Sequence, residues 1–450
     1  MTLAKIRFGA ILAAIAVVAS ACVTSPSVST SGTSPTSASG KITGPLEVVS
    51  YEPIGSPMYQ RYQTLAKQFE ALHPGLKVNL TFGGGSGEPP IAARYRADSP
   101  PDVNPSIAGP DGPFAKAGQL LDLTSALQTQ LPDYGTTWQD AMYPGVAPYL
   151  KNTTDGKTYT APESVTTVQF FYNKGLFDKF GITPPKTLRE LFTICDKLKA
   201  GGATPFAVTG TFNFYMEFYY DYLLLRYAGA AAVTNAIGGP TVPKADRTKF
   251  SSVPGASQAA SKLEQMVKNG YFMTGFESTD FTAAQLAFFQ GKAAMILMGS
   301  WLKSEMTGKI PAGFQLGTFS FPTVEGANGD QTGTFGTVQF YEVAAHAKNP
   351  EAAVAWLKFL ANKSNQTSYV EQQGAISAYK GIPSPAGLTN TAGALSSGKI
   401  APSYFNLFGD STAIQSAYQL PIAKLFFGKE QASSLVADIS DGLVKANAAG

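Results

Sequence analysis

The chain has 450 residues, of which 44% are hydrophobic and 14% charged, so it is long enough for two or three domains with a large core. Its 34 basic and 31 acidic residues leave a formal net charge of +3 without any run of Lys or Arg, which argues against nucleic-acid binding. The only histidines, His73 and His346, are too far apart in sequence to make a zinc cluster alone, and we expect no cofactor.

The N-terminal segment 1–21 has the three parts of an export signal: a basic start, an apolar stretch over 11–18, and small residues before Cys22. The apolar stretch is shorter than the about 20 residues that a membrane-spanning helix needs. The small residues that end at a cysteine resemble a bacterial lipobox, in which the cysteine is lipidated and becomes the new N-terminus. The alternative is an ordinary export signal cut nearby.

Residues 22–45 have the composition of a flexible tether. From Val23 to Gly40 the chain contains little but Ser, Thr, Pro, Gly, Val and Ala, which bury too little apolar surface to fold. A flexible linker between a lipid and a folded body has this composition. The sequence therefore predicts a protein that lies outside the cytoplasm and is anchored to the membrane through Cys22.

The folded body begins with a strand–helix–strand unit. Residues 46–51 form the first predicted strand, and Ser56-Pro57 supplies an N-cap and a first-turn proline for a helix. This helix carries its apolar residues on one face, at Met58, Tyr62, Leu65, Phe69 and Leu72. A second strand is predicted over 77–82. The unit predicts two parallel strands in a sheet that helices cover.

The same alternation continues along the chain. Helices are predicted over 187–199, over 282–290 and from Asn349 to about 362, and strands over 204–208, 293–298 and 337–345. Residues 404–447 have a mostly helical pattern. The remaining cysteine, Cys195, lies inside a predicted helix, where we expect a small buried thiol. The fold class is therefore α/β.

A series of short segments, spread from Phe69 to Ala353, carries a further signal. The segments are Phe69–Val78, Pro101–Val103, Ala117–Thr124, Tyr172–Phe177, Gly181–Leu191, Phe289–Met295, Gly299–Trp301 and Asn349–Ala353. In this order they resemble the family-1 extracellular solute-binding proteins, the group that includes maltose-binding protein. The block formed by the fourth and fifth segments is the most specific, but the resemblance rests on the whole series.

The resemblance implies a periplasmic-binding-protein-like fold: two lobes, each a mixed sheet covered by helices, with a ligand cleft between them. Lobe one would hold 46–160 and 333–375, and lobe two would hold 161–332 and 376–450. The implied function is the capture of a neutral sugar or oligosaccharide, by a monomer that is not an enzyme. Hinge closure would then deliver the ligand to the membrane permease of an ABC importer.

Trp301 is the strongest single candidate for contact with a sugar. It follows a predicted strand through Gly299-Ser300, so its ring can leave the sheet at the carboxyl end of a strand, where open α/β sheets bind ligands. In the resembled family a Trp at this motif stacks on sugar, and Ser300 lies beside it. The alternative is a Trp that packs beneath the next helix, as we expect for the mid-helix Trp356.

The loops after the first strands supply further candidates. Tyr51 and Glu52 follow the first strand, and a glycine-rich run that includes Gly84 follows the second. Glycine there would let the backbone approach a ligand, with a flexible turn as the alternative. Asp102 and Asn104 end the next strand-like segment, where residues of many relatives reach the ligand; the alternative for Asp102 is a cap.

The crossings between lobes and the second lobe complete the candidate site. Glu163 falls at the expected first crossing, where a carboxylate either accepts two sugar hydroxyls or forms a hinge salt bridge. The other candidates open a helix rich in Tyr and Phe, lie at the second crossing, or precede the last helices: Phe212, Asn213, Phe214, Gly333, Phe335, Asn406 and Asp410.

Two other classes of protein stay open. An exported glycoside hydrolase needs two carboxylates about 5–9.5 Å apart, and no recognisable acid/base motif occurs. The second class is a cell-surface adhesion or peptide-capturing module; adhesins tend to be all-β, whereas this chain alternates strands and helices. The sugar is also open: Gly299–Met306 is similar to members that take N-acetylglucosamine or chitobiose, and the alternatives are xylo-, cello- or malto-oligosaccharides. No Arg/Lys cluster accompanies the candidate loops, which argues against an anionic ligand.

Overall fold

The computed structural model describes residues 42–50, 52, 54–82, 91–106, 109–152, 154–237, 249–385, 388–398, 400–402 and 412–449. The strands are β1 (Gly44–Ser50), β2 (Leu76–Phe82), β3 (Val103–Ser106), β4 (Gln130–Leu131), β5 (Thr136–Thr137), β6 (Thr160–Asn173), β7 (Thr204–Ala207), β8 (Ala293–Gly299), β9 (Leu316–Phe319), β10 (Thr334–Val343), β11 (Ile376–Ser377) and β12 (Ile400–Pro402).

The helices alternate with these strands along most of the chain. They are α1 (Pro57–Leu72), α2 (Ile91–Arg96), α3 (Pro113–Lys116), α4 (Thr124–Leu127), α5 (Trp138–Ala141), α6 (Lys174–Phe180), α7 (Leu188–Ala200), α8 (Asn213–Ala228), α9 (Ala230–Ile237), α10 (Ala256–Lys268), α11 (Phe281–Phe289), α12 (Leu302–Glu305), α13 (Pro350–Ala361), α14 (Lys363–Gln373), α15 (Thr389–Ser396), α16 (Thr412–Phe426) and α17 (Ala432–Ala449). Among the described residues, none of these helices combines the length and apolar character that a membrane crossing requires.

The predicted strand–helix–strand unit is present at the start of the described chain. The Ser56 hydroxyl accepts a hydrogen bond from the Tyr59 backbone N–H at 3.0 Å, and Pro57 occupies the first turn of α1. The apolar face of α1 is buried as predicted, except for Leu72, whose side chain is 64% exposed at the last turn. Strands β1 and β2 pair in parallel on either side of this helix in sequence.

One mixed sheet connects most of the described strands. Its path runs β2-β1-β3-β10-β6-β8-β7, while β9, β11 and β12 pair with β6 or β10 off this path. Strands β1, β2 and β3 are parallel, whereas β10 is antiparallel to β3 and to β6. Parallel strands need helical crossovers, which explains why the first part of the chain alternates strands and helices.

Strands β6 and β10 are long and extend through both halves of the sheet. They pair with each other from Thr160 opposite Glu342 to Thr167 opposite Gly336. Beyond that point, β6 leaves β10 and pairs with β8 and β9 instead, from Val168 onward. These two strands therefore carry the chain from one half of the molecule to the other.

Two separate hydrophobic cores lie on either side of these crossing strands. One core contains Phe69, Trp138 and Trp356, and the other is built around β8 with Phe170 and Cys195. The cores define two lobes, so the predicted α/β class with two helix-covered lobes is confirmed. Cys195 is a buried free thiol, and Trp356 is fully buried, as expected from their positions in helices.

The packing of residues 376–395 differs from the division predicted from the sequence. That division placed them in lobe two, but Ile376, Tyr379 and Leu395 pack in the core of lobe one. Strand β11 explains the difference, because it pairs with the part of β6 that precedes Val168. After Leu395 the chain changes core, and Ala401 packs with lobe two.

Two carboxyl groups are buried together inside lobe two. Glu217 and Asp221 lie one turn apart on α8 and are essentially inaccessible to solvent. Gln419 donates a hydrogen bond to Glu217, and the Tyr418 hydroxyl donates one to Asp221 at 2.7 Å, both from α16. Burial raises the pKa of Glu217 to about 7, and burial together with the charge of Glu217 raises the pKa of Asp221. No ion pair to either carboxyl occurs within the described residues.

This buried pair predicts a stability that falls as the pH rises. The pKa of Glu217 is higher in the folded protein than in the unfolded chain, so the protonated carboxyl favours the folded state. This contribution to stability is complete below pH 4.5 and is lost as the pH rises through about 7. We expect Glu217→Gln to raise the free energy of unfolding at pH 8 by about 1–3 kcal/mol and to flatten its pH dependence between pH 5 and 8. Urea unfolding at several pH values measures both effects. The exposed Glu277→Gln variant is the control, and equal slopes in the wild type and Glu217→Gln would contradict the interpretation.

Candidate ligand-binding site

Trp301 lies at the carboxyl end of β8, on the edge of lobe two that adjoins the crossing strands. Its backbone carbonyl accepts a hydrogen bond from the Glu305 N–H at 3.0 Å, which begins the short helix α12. The indole ring lies against Gly299, where an added Cβ would stand 2.2 Å from ring atoms. Trp301 is half-buried, whereas Trp138 and Trp356 are fully buried. It is therefore the one Trp of this chain whose ring reaches solvent.

Near Trp301 lie three polar residues that were not among the predicted ligand contacts: Tyr215, Glu305 and, against Glu305, Gln285. A hydrogen bond from Trp301 to Tyr215 lowers the pKa of the Tyr215 phenol, which burial and the nearby Glu305 carboxylate raise by a larger amount. Glu305 accepts a hydrogen bond from the Gln285 amide at 2.7 Å. Burial raises the pKa of Glu305, although its side chain reaches solvent. That combination is typical of a carboxylate in a concave surface.

Aromatic rings extend this surface beyond Trp301. Phe212 is 50% exposed and Phe281 is 41% exposed, and both rings contact Tyr215, with centroid distances of 5.6 and 6.2 Å. Phe214 packs against the base of the same cluster, 5.5 Å from Tyr215. Asn213 opens α8 between these rings and is partly exposed. Of the predicted residues, Trp301, Phe212, Asn213 and Phe214 therefore lie in or beside one region of lobe two.

On lobe one, Glu163 forms the centre of a buried polar network. Its carboxylate pairs with the Arg61 guanidinium at 3.5 Å and accepts hydrogen bonds from the Tyr62 hydroxyl at 3.0 and 3.1 Å. The Tyr62 hydroxyl also bonds to that of Tyr341. Burial raises the pKa of Glu163, and Arg61 opposes that shift. Glu163 therefore forms a buried ion pair with a residue of α1.

Glu52 lies at the edge of this network and is only partly buried. Burial and repulsion from Glu163 raise its pKa to about 7, while Arg61 acts in the opposite direction. The charge of the Arg61 guanidinium therefore acts on two carboxyls, Glu52 and Glu163. At neutral pH this pair of carboxyls holds a proton for part of the time. Glu52 can donate a hydrogen bond when protonated and accept several when ionised.

Two of the predicted lobe-one residues are committed to internal contacts. The Asp102 carboxylate accepts hydrogen bonds from the backbone N–H groups of Glu47 and Asn349, at 2.8 and 2.9 Å, and so joins β1 to the start of α13. Asn104 is fully buried, where its amide bonds to Tyr95 and Glu342. Burial raises the pKa of Glu342 to about 7. Polar residues at strand ends here satisfy buried backbone and side chains.

Three candidates near the crossings also have structural partners. The Ser300 N–H donates to the Thr167 carbonyl at 2.7 Å, which extends the pairing of β6 with β8. The Gly333 carbonyl accepts a hydrogen bond from the buried guanidinium of Arg226 at 2.9 Å. Phe335 is 2% exposed and packs in the core of lobe two against Tyr222. Their side chains or backbone groups thus support the crossing strands.

Several predicted residues lie outside the part of the chain that the structure describes. They are the candidate ligand residues Tyr51, Gly84, Asn406 and Asp410, and the predicted lipidation site Cys22. The described portion of the site consequently comprises a lobe-one part around Glu52 and Glu163 and a lobe-two part around Trp301. Both parts adjoin β6, along which Glu163 and Thr167 are about 13 Å apart at 3.3 Å per residue.

Two crevices lie where residues 383–397 approach lobe two. One has a volume of about 770 Å³ and is lined by 318–323 together with 184–186 and α15. The other has a volume of about 640 Å³ and is lined by Ser300 and Lys303, with parts of β9 and α14. Neither Trp301 nor Glu305 lines them, whereas Lys303 of α12 lines the second.

The chemistry of the aromatic surface is that of a binding site for an uncharged polar molecule. Exposed rings supply flat apolar faces, while Glu305 and Tyr215 supply hydrogen-bonding groups beside them. Within the described residues, no group of three or more His, Cys, Asp or Glu side chains has the arrangement of a metal site.

A two-lobed α/β molecule with these groups beside two crossing strands has the architecture of an extracellular solute-binding protein. Residues 55–367 match the family model of the bacterial extracellular solute-binding proteins, and the chain belongs to that family. It is 24% identical to the Multiple sugar-binding protein of Streptococcus mutans over 319 residues, covering 71% of this chain and 72% of that protein. It is 28% identical to the Galactooligosaccharide-binding protein of Bacillus subtilis over 235 residues, covering 51% of each.

Solved structures with the same fold agree with this classification. A chitin oligosaccharide binding protein superposes with a TM-score of 0.71 at 22% identity, covering 89% of this chain and 99% of that one. The solute-binding protein RafE in complex with raffinose gives a TM-score of 0.70 at 20% identity, covering 90% of this chain and all of that one, 100%. At these identities the likeness concerns the fold.

Arg61 is the only cation paired with Glu163 among the described residues, so we expect its removal to lower the free energy of unfolding by an amount that depends on pH. We expect Arg61→Met to lower the free energy of unfolding by about 3 kcal/mol at pH 8, because Glu163 is left as an unpaired buried carboxylate. The loss should be smaller at pH 5, since without Arg61 the pKa of Glu163 rises further and the neutral acid is tolerated. Chemical unfolding at both pH values measures this difference.

A second variant separates charge from packing at Arg61. Adding Glu163→Gln to Arg61→Met should restore part of the stability at pH 8, because the neutral amide needs no cation. An equal loss at pH 5 and pH 8, with no restoration in the double variant, would mean that Arg61 acts through its hydrogen bond to the Asn365 carbonyl and its contact with Tyr369.

Proposed function

We propose that the protein captures a neutral sugar or oligosaccharide outside the cytoplasm and delivers it to the membrane permease of an ABC importer. The observation that carries this proposal is the solvent-reaching Trp301 ring beside Tyr215 and Glu305, at the carboxyl end of β8. A sugar presents CH faces, which pack on aromatic rings, and hydroxyls, which donate hydrogen bonds to carboxylates. The relatives named for multiple sugars and galactooligosaccharides, and the structure with raffinose, support this ligand class.

Hinge closure is the proposed mechanism of capture. A sugar docks on one lobe, and the closed form is selected because only that form contacts the sugar from both lobes. The support is the chain path: β6 and β10 lie in both halves of the sheet, so a small bend in them changes the relation of the lobes. For the lobes we propose the division predicted from the sequence with three changes that follow from packing: 161–165 and 376–395 are assigned to lobe one, and Phe335 is assigned to lobe two.

An exported glycoside hydrolase is the competing proposal. It needs an acid and a second carboxylate about 5–9.5 Å apart on either side of the scissile bond. The described carboxyls of the site are divided between the lobes, with Glu305 on lobe two and Glu52 and Glu163 on lobe one. Incubation with each oligosaccharide and chromatography of the products tests this alternative, and any turnover that depends on Glu305 would replace the binding proposal.

Removing the Trp301 ring is the direct test of the ligand site. We expect Trp301→Ala to abolish the thermal shift and the fluorescence change that chitobiose, xylotriose, cellotriose, maltotriose or raffinose causes in the wild type. The melting temperature of the free protein should change little, because the ring is only partly buried. Since Trp138 and Trp356 are fully buried, a sugar-dependent change in the emission of the wild type reports on Trp301.

The control for this variant is Trp356→Phe, which should lower the melting temperature without removing the sugar response. Small-angle scattering adds a readout of closure: the radius of gyration of the wild type should fall with the bound sugar and that of Trp301→Ala should not. If Trp301→Ala unfolds instead, the ring belongs to the core and the site is misplaced.

We further propose that Cys22 is the lipidated N-terminus of the mature protein and that the chain between Cys22 and β1, which begins at Gly44, tethers the folded body to the membrane. In bacteria that express the chain, we expect the wild type in the membrane fraction and labelled by a radioactive fatty acid. Cys22→Ala should lose the label and appear in the soluble extracytoplasmic fraction. Persistence of Cys22→Ala in washed membranes would mean that another segment anchors the protein.

A further inference from the structure

We infer that Glu305 determines which sugar the site selects. Its carboxylate would accept hydrogen bonds from two hydroxyls of the sugar ring that packs on Trp301. This inference rests on the proposed function and deepens it. Glu305 was not among the residues predicted to contact the sugar; a backbone hydrogen bond places it next to Trp301, and a buried amide holds its carboxylate.

The backbone places Glu305 next to Trp301. The Glu305 N–H donates to the Trp301 carbonyl at 3.0 Å, so the two residues lie on one side of a single helical turn. Tyr215 lies near both from α8, since burial and the Glu305 charge raise the pKa of its phenol while Trp301 lowers it. Ring, hydroxyl and carboxylate thus converge on one small surface.

The Glu305 carboxylate is held in place by a buried amide. Gln285 is 1% exposed on α11, and its N–H group donates to one carboxylate oxygen at 2.7 Å. The carbonyl oxygen of that amide has no hydrogen-bond partner among the described residues. A buried carbonyl oxygen without a hydrogen-bond partner lowers the stability of a protein core. Such an oxygen therefore calls for an explanation, and a ligand hydroxyl that completes the hydrogen bonding is one.

The surroundings of Glu305 favour a hydroxyl partner over an internal ion pair. In the described part of the chain, no basic side chain lies within ion-pair distance of Glu305. Burial raises the pKa of Glu305, while the hydrogen bond from Gln285 and the charge of Lys309 lower it by smaller amounts. Glu305 is an exposed residue, and within the described part of the chain a hydrogen bond is found for one of its two carboxylate oxygens. Charge-assisted hydrogen bonds of this kind are about twice as strong as neutral ones, and they favour sugars with paired hydroxyls at the Trp301 position.

Titration calorimetry with chitobiose, xylotriose, cellotriose, maltotriose and raffinose tests the inference. The proteins are the full-length wild type, Glu305→Gln, and the matched control Glu371→Gln, whose exposed carboxylate lines the crevice that Lys303 also lines. At pH 7.5 we expect Glu305→Gln to bind the responding sugar about 10- to 100-fold more weakly, and Glu371→Gln to bind as the wild type does. At pH 4.5 the gap between the wild type and Glu305→Gln should narrow, because Glu305 is then mostly protonated.

The outcomes separate this inference from the proposed function. A wild type that binds sugar, with an equal affinity in Glu305→Gln, overturns the inference alone. A wild type that binds none of the five sugars contradicts the proposed function, and the inference fails with it. A loss confined to Glu371→Gln would place the sugar in the crevice that Glu371 lines. Glu305→Gln keeps the shape of the side chain, and its melting temperature and Trp301 emission without sugar check that the surface is intact.

Discussion

The antiparallel pairing of β6 with β10 is the constraint on which the rest of the structure depends. The two strands exchange hydrogen bonds from Thr160 opposite Glu342 to Thr167 opposite Gly336, between two separate hydrophobic cores. Each strand therefore belongs to both lobes, and any group that projects from its middle lies where the lobes meet. The described parts of the proposed ligand site adjoin this segment: Glu163 lies within it, and Trp301 follows the residue that bonds to Thr167.

The polar groups near this segment differ in kind between the lobes. On lobe one, Glu163 has its hydrogen bonds supplied by Arg61 and Tyr62, so the network around it is nearly complete without a ligand. On lobe two, Glu305 and Gln285 retain unused hydrogen-bonding capacity next to an open aromatic surface. Buried polar networks that are fully satisfied make a structure rigid, whereas partly satisfied ones gain most from a new partner. The lobe-two surface is for this reason the better docking side.

Much of the fold followed from local patterns. The spacing of apolar residues and the Ser56-Pro57 signal predicted α1 correctly, because the helix buries one face and caps its own N-terminus. The length of β6 was not predicted, since a strand buried on both faces has no alternating pattern to reveal it. The assignment of 376–395 also differed, because it depends on the pairing of β11 with the first half of β6, which is a long-range contact.

The site was predicted in part for the same physical reason. Trp301 could be found because it follows a buried strand and lies within a recognisable motif. Tyr215, Gln285 and Glu305 come from three separate helices, so no spacing in the sequence connects them. Asp102 and Asn104 show why a residue can be predicted in a site and yet bond inside the protein. The sequence pattern of a polar residue at a strand end is the same whether that residue binds a ligand or bonds to a neighbouring element.

The magnitudes explain why both lobes have to take part in binding. One aromatic contact contributes about 1 kcal/mol beyond its buried area, and a micromolar complex needs about 8 kcal/mol. A sugar on the Trp301 surface alone, even with the hydrogen bonds that Glu305 can accept, falls short of that value once the loss of translational freedom is included. Contacts with Glu52 and the rest of lobe one supply the remainder only if the lobes approach each other. In the proposed mechanism the bend of β6 and β10 is coupled to affinity, because the free energy that would close the lobes comes from the contacts that closure creates.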